Sequence, residues 1–163
     1  GYAERAPVLR DVSLSVFEHS VTALMGRNGV GKSTLCKCIL GLLKVAEGNI
    51  SFSGEDLSNL PTYEIAQLGI AYVPQGREVF SKLTVEENLQ LAINASKRSG
   101  DIDIAWNCFP SIADFRNRRA GRLSGGEQQL VSIARALVTK PKFILLVNIS
   151  SRLARSLNVI LKP

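Results

Sequence analysis

The octapeptide GRNGVGKS, Gly26 to Ser33, constrains the fold more than any other stretch of the chain. It follows the continuous apolar run SVTALMG, Ser20 to Gly26, which reads as a buried parallel strand. It precedes Lys32 to Leu43, which has helical spacing and no proline. Glycines at 26 and 31 followed by Lys32 and Ser33 fit the G-x-x-x-x-G-K-S pattern of a phosphate-cradling loop. Glycine lets the backbone curl until successive N–H groups converge on anionic oxygens. The following helix aims its positive end at the same anion. The spacing therefore predicts a ligand-binding loop of Gly26, Arg27, Asn28, Gly29, Val30, Gly31, Lys32, Ser33 and Thr34. Lys32 is expected to reach outer phosphates, and the Ser33 hydroxyl to face Mg²⁺.

Around this loop the pattern alternates. VLRDVSLSV, Val8 to Val16, has β-like alternation, and NISFSG carries a short strand around Ile50 and Phe52 with a glycine stop. Pro61 opens a helix through Leu68, and GIAYVP, Gly69 to Pro74, is another apolar strand. Thr84 with Glu87 three residues on forms a capping box before the apolar run of LTVEENLQLAI. Glu127 to Val138 puts Leu130, Ile133, Ala134 and Leu137 on one helical face, and Pro141 follows as a stop. FILLV, from Phe143, is apolar enough to belong in the middle of a sheet. Strands alternating with helices predict an α/β fold with a mostly parallel sheet.

Charge narrows the partners only loosely. A net charge of +6 favours anionic company, yet the Phe115–Arg122 cluster with Arg116, Arg118, Arg119 and Arg122 reads as a solvated face. No interleaved aromatics or known module point to nucleic acid. No apolar run approaches the ~20 residues that span a bilayer. Cys36, Cys38 and Cys108 are too few and scattered for a disulfide framework and read as filler in a reducing setting. The start at Gly1 and the close at Lys162-Pro163 read as those of a piece of a longer protein.

Further motifs carry a resemblance. LSGGEQQ, Leu123 to Gln129, resembles the signature sequence of ABC-type ATPases, and YVPQGREVF, Tyr72 to Phe80, resembles their Q-loop with Gln75 as its glutamine. Tyr2 sits where that family carries an aromatic that stacks on adenine. The wording MGRNGVGKST, PQGREVFSKLTVEENL and CFPSI is similar to ATP-binding subunits of branched-chain amino acid and amide importers, the urea importer subunit nearest. The resemblance implies a P-loop NTPase with a RecA-like core, plus an ABC-type helical subdomain, truncated at its C-terminus. It divides a single incomplete domain, 1–163, into a nucleotide-binding lobe of 1–75 with 135–163 and a helical and signature subdomain of 76–134. It implies ATP and Mg²⁺ as cofactors, with Gln75 and Ser33 near the metal. Two subunits would sandwich ATP head to tail, so that Ser124, Gly125, Gly126 and Glu127 of one face the phosphate loop of the other. Two membrane permeases and, indirectly, a solute-binding protein complete the implied assembly, peripheral at the cytoplasmic face of the membrane.

One strand departs from the family. Where it ends in Asp then Glu, this chain has Val147 and Asn148. SSRLARSL, Ser150 to Leu157, still resembles the following D-loop through Leu153 and Ala154, with Arg152 and Arg155 replacing its Gly and Pro. The family's switch histidine lies beyond Pro163, and His19 reads as an exposed turn residue rather than a substitute. Valine cannot hold a metal-bound water, and Asn148, at the catalytic glutamate position, cannot accept a proton. The expectation is an ATP-binding chain with impaired hydrolysis; a non-catalytic regulatory module and a non-functional fragment are the alternatives.

Overall fold

A computed structural model describes residues 9–27, 29–76 and 78–147. The chain divides between Ile65 and Ala66 into two compact units. In the first, helix α1 spans Lys32–Ile39 directly after the glycine loop. A small antiparallel hairpin of β1, Ser51–Phe52, and β2, Glu55–Asp56, follows. Leu40, Leu57 and Ile65 are its buried apolar residues. Gly41 is indispensable here: at φ 67° a Cβ would stand 2.6 Å from the Leu60 carbonyl oxygen. Helix α2, Thr62–Gln67, begins one residue after Pro61, as the sequence predicts, and leads into the second unit.

The second unit contains the larger core. Strand β3, Ile70–Val73, pairs in parallel with β4, Phe143–Leu146, in the register Ile70↔Phe143 through Val73↔Leu146. Helix α3 spans Val85–Ala95, α4 Asp103–Cys108, α5 Pro110–Ala113 and α6 Gly125–Leu137. The apolar faces converge: Val85 and Leu89 of α3, Ala105 of α4, Ile112 of α5, and Val131, Ile133, Ala134 and Leu137 of α6 are all buried. Phe109 joins this core at 5% exposure, whereas Trp106 is half-buried.

Both long helices of this unit start at capping boxes. Thr84 Oγ1 accepts from the Glu87 N–H at 3.1 Å while the Thr84 N–H donates to Glu87 Oε2 at 2.7 Å. At α6, Ser124 Oγ accepts from the Glu127 N–H at 3.4 Å and the Ser124 N–H donates to Glu127 Oε2 at 2.6 Å. Hydrogen bonding to Thr84 holds the Glu87 carboxyl below its ordinary range, and the Ser124 side chain and N–H do the same for Glu127. The segments before these helices are themselves joined: the Val85 N–H donates to the Arg118 carbonyl, and the Ala120 N–H to that of Leu83.

Two sequence expectations fail. Val8–Val16 and Ser20–Gly26 form no strand over their described residues, and Phe17 and Met25 are 79% and 88% exposed. Residues 12–25 find no ladder partner among the described residues, and β propensity without pairing does not hold a strand. β4 is the second correction. It pairs with β3 alone among the described residues, and all four of its residues are half-buried. Interior burial needs a flanking strand on each side and helices over both faces. His19 lies in an exposed turn with φ 54°, as expected.

Asn88 is a fully buried polar residue, 0% exposed on the apolar face of α3. Its Oδ1 accepts from the Phe80 N–H at 2.9 Å, and its Nδ2 donates to the carbonyls of Phe80 at 3.1 Å and Thr84 at 2.8 Å. Asn88→Ala should lower the unfolding free energy by about 2–3 kcal/mol, because it strands those backbone groups. Leu91→Ala, at a site 40% exposed, should change it by less than about 0.5 kcal/mol; urea titration of both variants measures the contrast. The capping carboxylates predict a pH dependence. Their folded values are lowered, so their contribution is complete above the ordinary value of 4.5 and fades as pH falls through the lowered values. Thr84→Ala with Ser124→Ala should therefore flatten the acid limb of a stability–pH profile and leave its neutral slope unchanged.

Candidate functional site

In the first unit the loop's geometry follows from Gly31. Its φ of 99° and ψ of 1° place it in the left-handed region as the N-cap of α1. No side chain caps this helix, so its first-turn N–H groups are free for an anion. The Gly31 carbonyl already accepts from the Leu35 N–H at 2.9 Å, which anchors the loop to the helix. Lys32 curls back over the loop, its Nζ donating to the carbonyls of Gly26 and Arg27 at 2.6 Å each. The ammonium thus stands at the loop's own entrance, where an anionic oxygen offers it a stronger, charge-assisted bond. Ser33 is exposed on the first turn. On the same helix Cys36 is half-buried, with burial raising its thiol pKa, as befits a filler rather than a reactive thiol. The remaining loop positions, Arg27, Gly29 and Val30, are exposed, and Thr34 is half-buried. Tyr2 and Asn28 lie outside the described residues.

The second unit brings the other motifs together. Ser124 is exposed at the start of α6, and Gly125 and Gly126 leave the first turn without side chains. A cavity of about 450 Å³ opens beside them, lined by Gly76, Gly125, Gly126 and Gln129. The residue after Gln75 and the beginning of α6 therefore share one concavity. Gln128 braces this turn from behind, its Nε2 donating to the Ala120 carbonyl at 3.1 Å. Ser124 Oγ accepts from Glu127, and its own hydroxyl proton remains available to a ligand.

Gln75 is exposed two residues beyond the end of β3. Val147 stands just past the end of the neighbouring strand β4, its N–H donating to the Val73 carbonyl at 3.0 Å. The carboxyl ends of adjacent parallel strands are where α/β sheets take their ligands. The register thus puts an isopropyl group, half-buried, on the strand end beside the Gln75 loop. Asn148 lies outside the described residues. No cluster of three or more His, Cys, Asp and Glu exists among the described residues. The oxygen donors at the expected metal positions, Ser33 and Gln75, are both neutral. They fit Mg²⁺ only as supplements to phosphate oxygens, since hard divalent cations take most of their binding energy from charged oxygens.

Sequence reasoning missed two residues that shape this site. Asn88 grips Phe80 from α3. Arg135 of α6 donates to the Glu78 carbonyl at 2.5 Å and lies 4.7 Å over the Phe80 ring. The available signal was polarity on an apolar face: Asn88 follows Val85 at three residues and precedes Leu89.

Residues 9–147 match the ABC transporter family. The chain is 43% identical over 149 residues to a probable branched-chain amino acid transport ATP-binding protein, LivF, of Archaeoglobus fulgidus, covering 90% of this chain and 63% of that protein. It is 42% identical over 148 residues to the high-affinity branched-chain amino acid transport ATP-binding protein BraG of Pseudomonas aeruginosa, covering 89% and 64% respectively. The chain thus spans less than two thirds of the length of these relatives. Among solved structures it is similar, at 28% identity and TM-score 0.76 over 94% of this chain and 73% of the other, to a dimeric ATP-binding cassette in a post-hydrolysis state bound to ADP and Pi. With the glycine loop, the capped signature helix and the matched span in agreement, the chain belongs to the ABC transporter family.

Proposed function

We propose that this chain is the ATP-binding subunit of an ABC importer for branched-chain amino acids or for amides such as urea, and that it holds ATP while hydrolysing it little. The observation that carries the reading is the uncapped start of α1 with the Lys32 ammonium poised on the carbonyls of Gly26 and Arg27. Gly26 to Thr34 would hold the triphosphate and Tyr2 the adenine, with Ser33 and Gln75 toward Mg²⁺. Bound Mg²⁺ would supply charge neutralisation at the phosphates.

Ser124 to Glu127 would serve a second subunit's nucleotide in trans, because a capped helix start with two glycines can meet an anion at its first turn. The dimeric description of the ADP- and Pi-bound cassette supports that arrangement. The names of the two branched-chain amino acid relatives support the importer role, with two permeases, a solute-binding protein acting indirectly, and a place at the cytoplasmic face of the membrane. Nucleic acid has no part in it.

Val147 favours a second reading: a non-catalytic module that closes as a dimer on ATP without turnover. Loss of a general base commonly costs about 10²–10⁴ in rate, and Asn148 stands at that position. Calorimetry of the purified chain should show heat with millimolar Mg-ATP, and Lys32→Ala should weaken binding about tenfold or more. Phosphate release should stay at background. Absence of any nucleotide heat would overturn the binding role. Phosphate release that Lys32→Ala abolishes would instead overturn the hydrolytic impairment.

A further inference from the structure

The segment after Gln75 is held at its far end from two helices. Asn88 of α3 takes both backbone groups of Phe80: Oδ1 accepts from its N–H at 2.9 Å and Nδ2 donates to its carbonyl at 3.1 Å. Arg135 of α6 takes what remains. Its guanidinium donates to the Glu78 carbonyl at 2.5 Å and stacks on the Phe80 ring with 4.7 Å to the centroid. Arg135 is drawn far enough into the protein for burial to lower its pKa, and its buried Nε finds no hydrogen-bond partner among the described residues. A cation accepts that environment only where something offsets its lost hydration. Here the offset comes from a charge-assisted bond to the Glu78 carbonyl, the negative charge of the Glu78 side chain and the Phe80 aromatic face. At the near end of the segment Gly76 has φ 119°, a conformation that favours glycine, and it lines the same cavity as Gly125 and Gly126.

We propose that Arg135 is a positioning residue that fastens the Gln75 loop to the signature helix, so that the loop and the Ser124-bearing start of α6 move as one piece. The loop can then pivot at Gly76 but not slide along α6, because Phe80 is bolted on its backbone and its ring. Any displacement of the loop is passed to α6 through the half-buried Arg135 side chain. That displacement reaches Ser124, whose position is set by the same helix. The consequence for nucleotide-driven closure rests on the proposed function; the clamp itself does not.

Two measurements on Arg135→Gln, Arg135→Lys and Phe80→Leu separate the two. Hydrogen exchange comes first, with no nucleotide present. Amides of residues 78–81 should exchange at least tenfold faster in Arg135→Gln and Phe80→Leu, while those of α6 stay protected. Arg135→Lys should recover part of the protection, since an ammonium reaches the carbonyl but offers no planar stack. Unchanged exchange at 78–81 in both folded variants overturns the clamp. If Arg135→Gln fails to fold, Phe80→Leu, at a residue 46% exposed, decides alone. The second measurement is ATP-dependent self-association on sizing, set against ADP affinity. Arg135→Gln should leave the ADP dissociation constant within about twofold and raise the concentration for half-association tenfold or more, with Arg135→Lys between. A variant that associates like the wild type overturns the coupling. A wild-type chain that binds ADP but never associates with ATP overturns the proposed dimer closure, and the exchange result then judges the clamp by itself.

Discussion

The burial of α6 organises the second unit. Val131, Ile133, Ala134 and Leu137 are each at most 6% exposed, and they meet residues from α3, α4 and β3. Full burial of a large aliphatic side chain is worth about 1.5–3 kcal/mol, so a helix carrying several of them keeps its own form and moves, where it moves, as one piece with what it packs against. That rigidity reaches Ser124 through the helix and its capping box. A first turn that is already fixed offers its N–H groups without reorganisation when an anion arrives, which is the condition for a strong electrostatic contact. The same helix supplies Gln129 to the cavity and Arg135 to the loop, so one packed element sets three features of the site.

The first unit builds its uncapped helix start by other means. Few of its described residues are both apolar and buried, and the glycine loop takes its form from local bonds: Gly31 to Leu35 and Lys32 back to Gly26 and Arg27. Such a loop is shaped chiefly by its own backbone. Lys32 serves as an internal counter-group in the absence of phosphate, bonding carbonyls that would otherwise repel an incoming anion. An incoming phosphate both replaces that bond and improves on it, because a formal negative charge outbids a carbonyl dipole.

Local signals in the sequence carried well where the interaction was itself local. Thr84 with Glu87 foretells a capping box that the structure contains. Gly69–Pro74 and Phe143–Val147 foretell β3 and β4, whose pairing follows from the parallel α/β pattern. Val8–Val16 and Ser20–Gly26 misled because alternation and apolarity describe a strand's faces, not its neighbours. A ladder is a property of two segments, and one segment's composition cannot supply the other. Arg135 escaped notice for a related reason. Its carbonyl partner, Glu78, is 57 residues away, and nothing near Arg135 in sequence marks it out from other helical arginines. Asn88 was more legible, since its partner Phe80 is 8 residues off and it interrupts an apolar face.

Val147 turns the geometry into a statement about timing. It sits just past the carboxyl end of β4, hydrogen-bonded to Val73, with Gln75 two residues beyond the end of the neighbouring strand. A carboxylate at that strand end could have held positive charge, and an isopropyl group cannot. Under the proposed function, the cradle around Lys32 keeps its grip on phosphate while the group that would spend the nucleotide is gone. A ligand shifts a conformational equilibrium only by its differential affinity for the two states. Without cleavage that difference persists until the nucleotide leaves. The lifetime of a closed pair would then be set by dissociation from the Gly26–Ser33 loop rather than by chemistry, which suits a holding or regulatory role better than a cycling one.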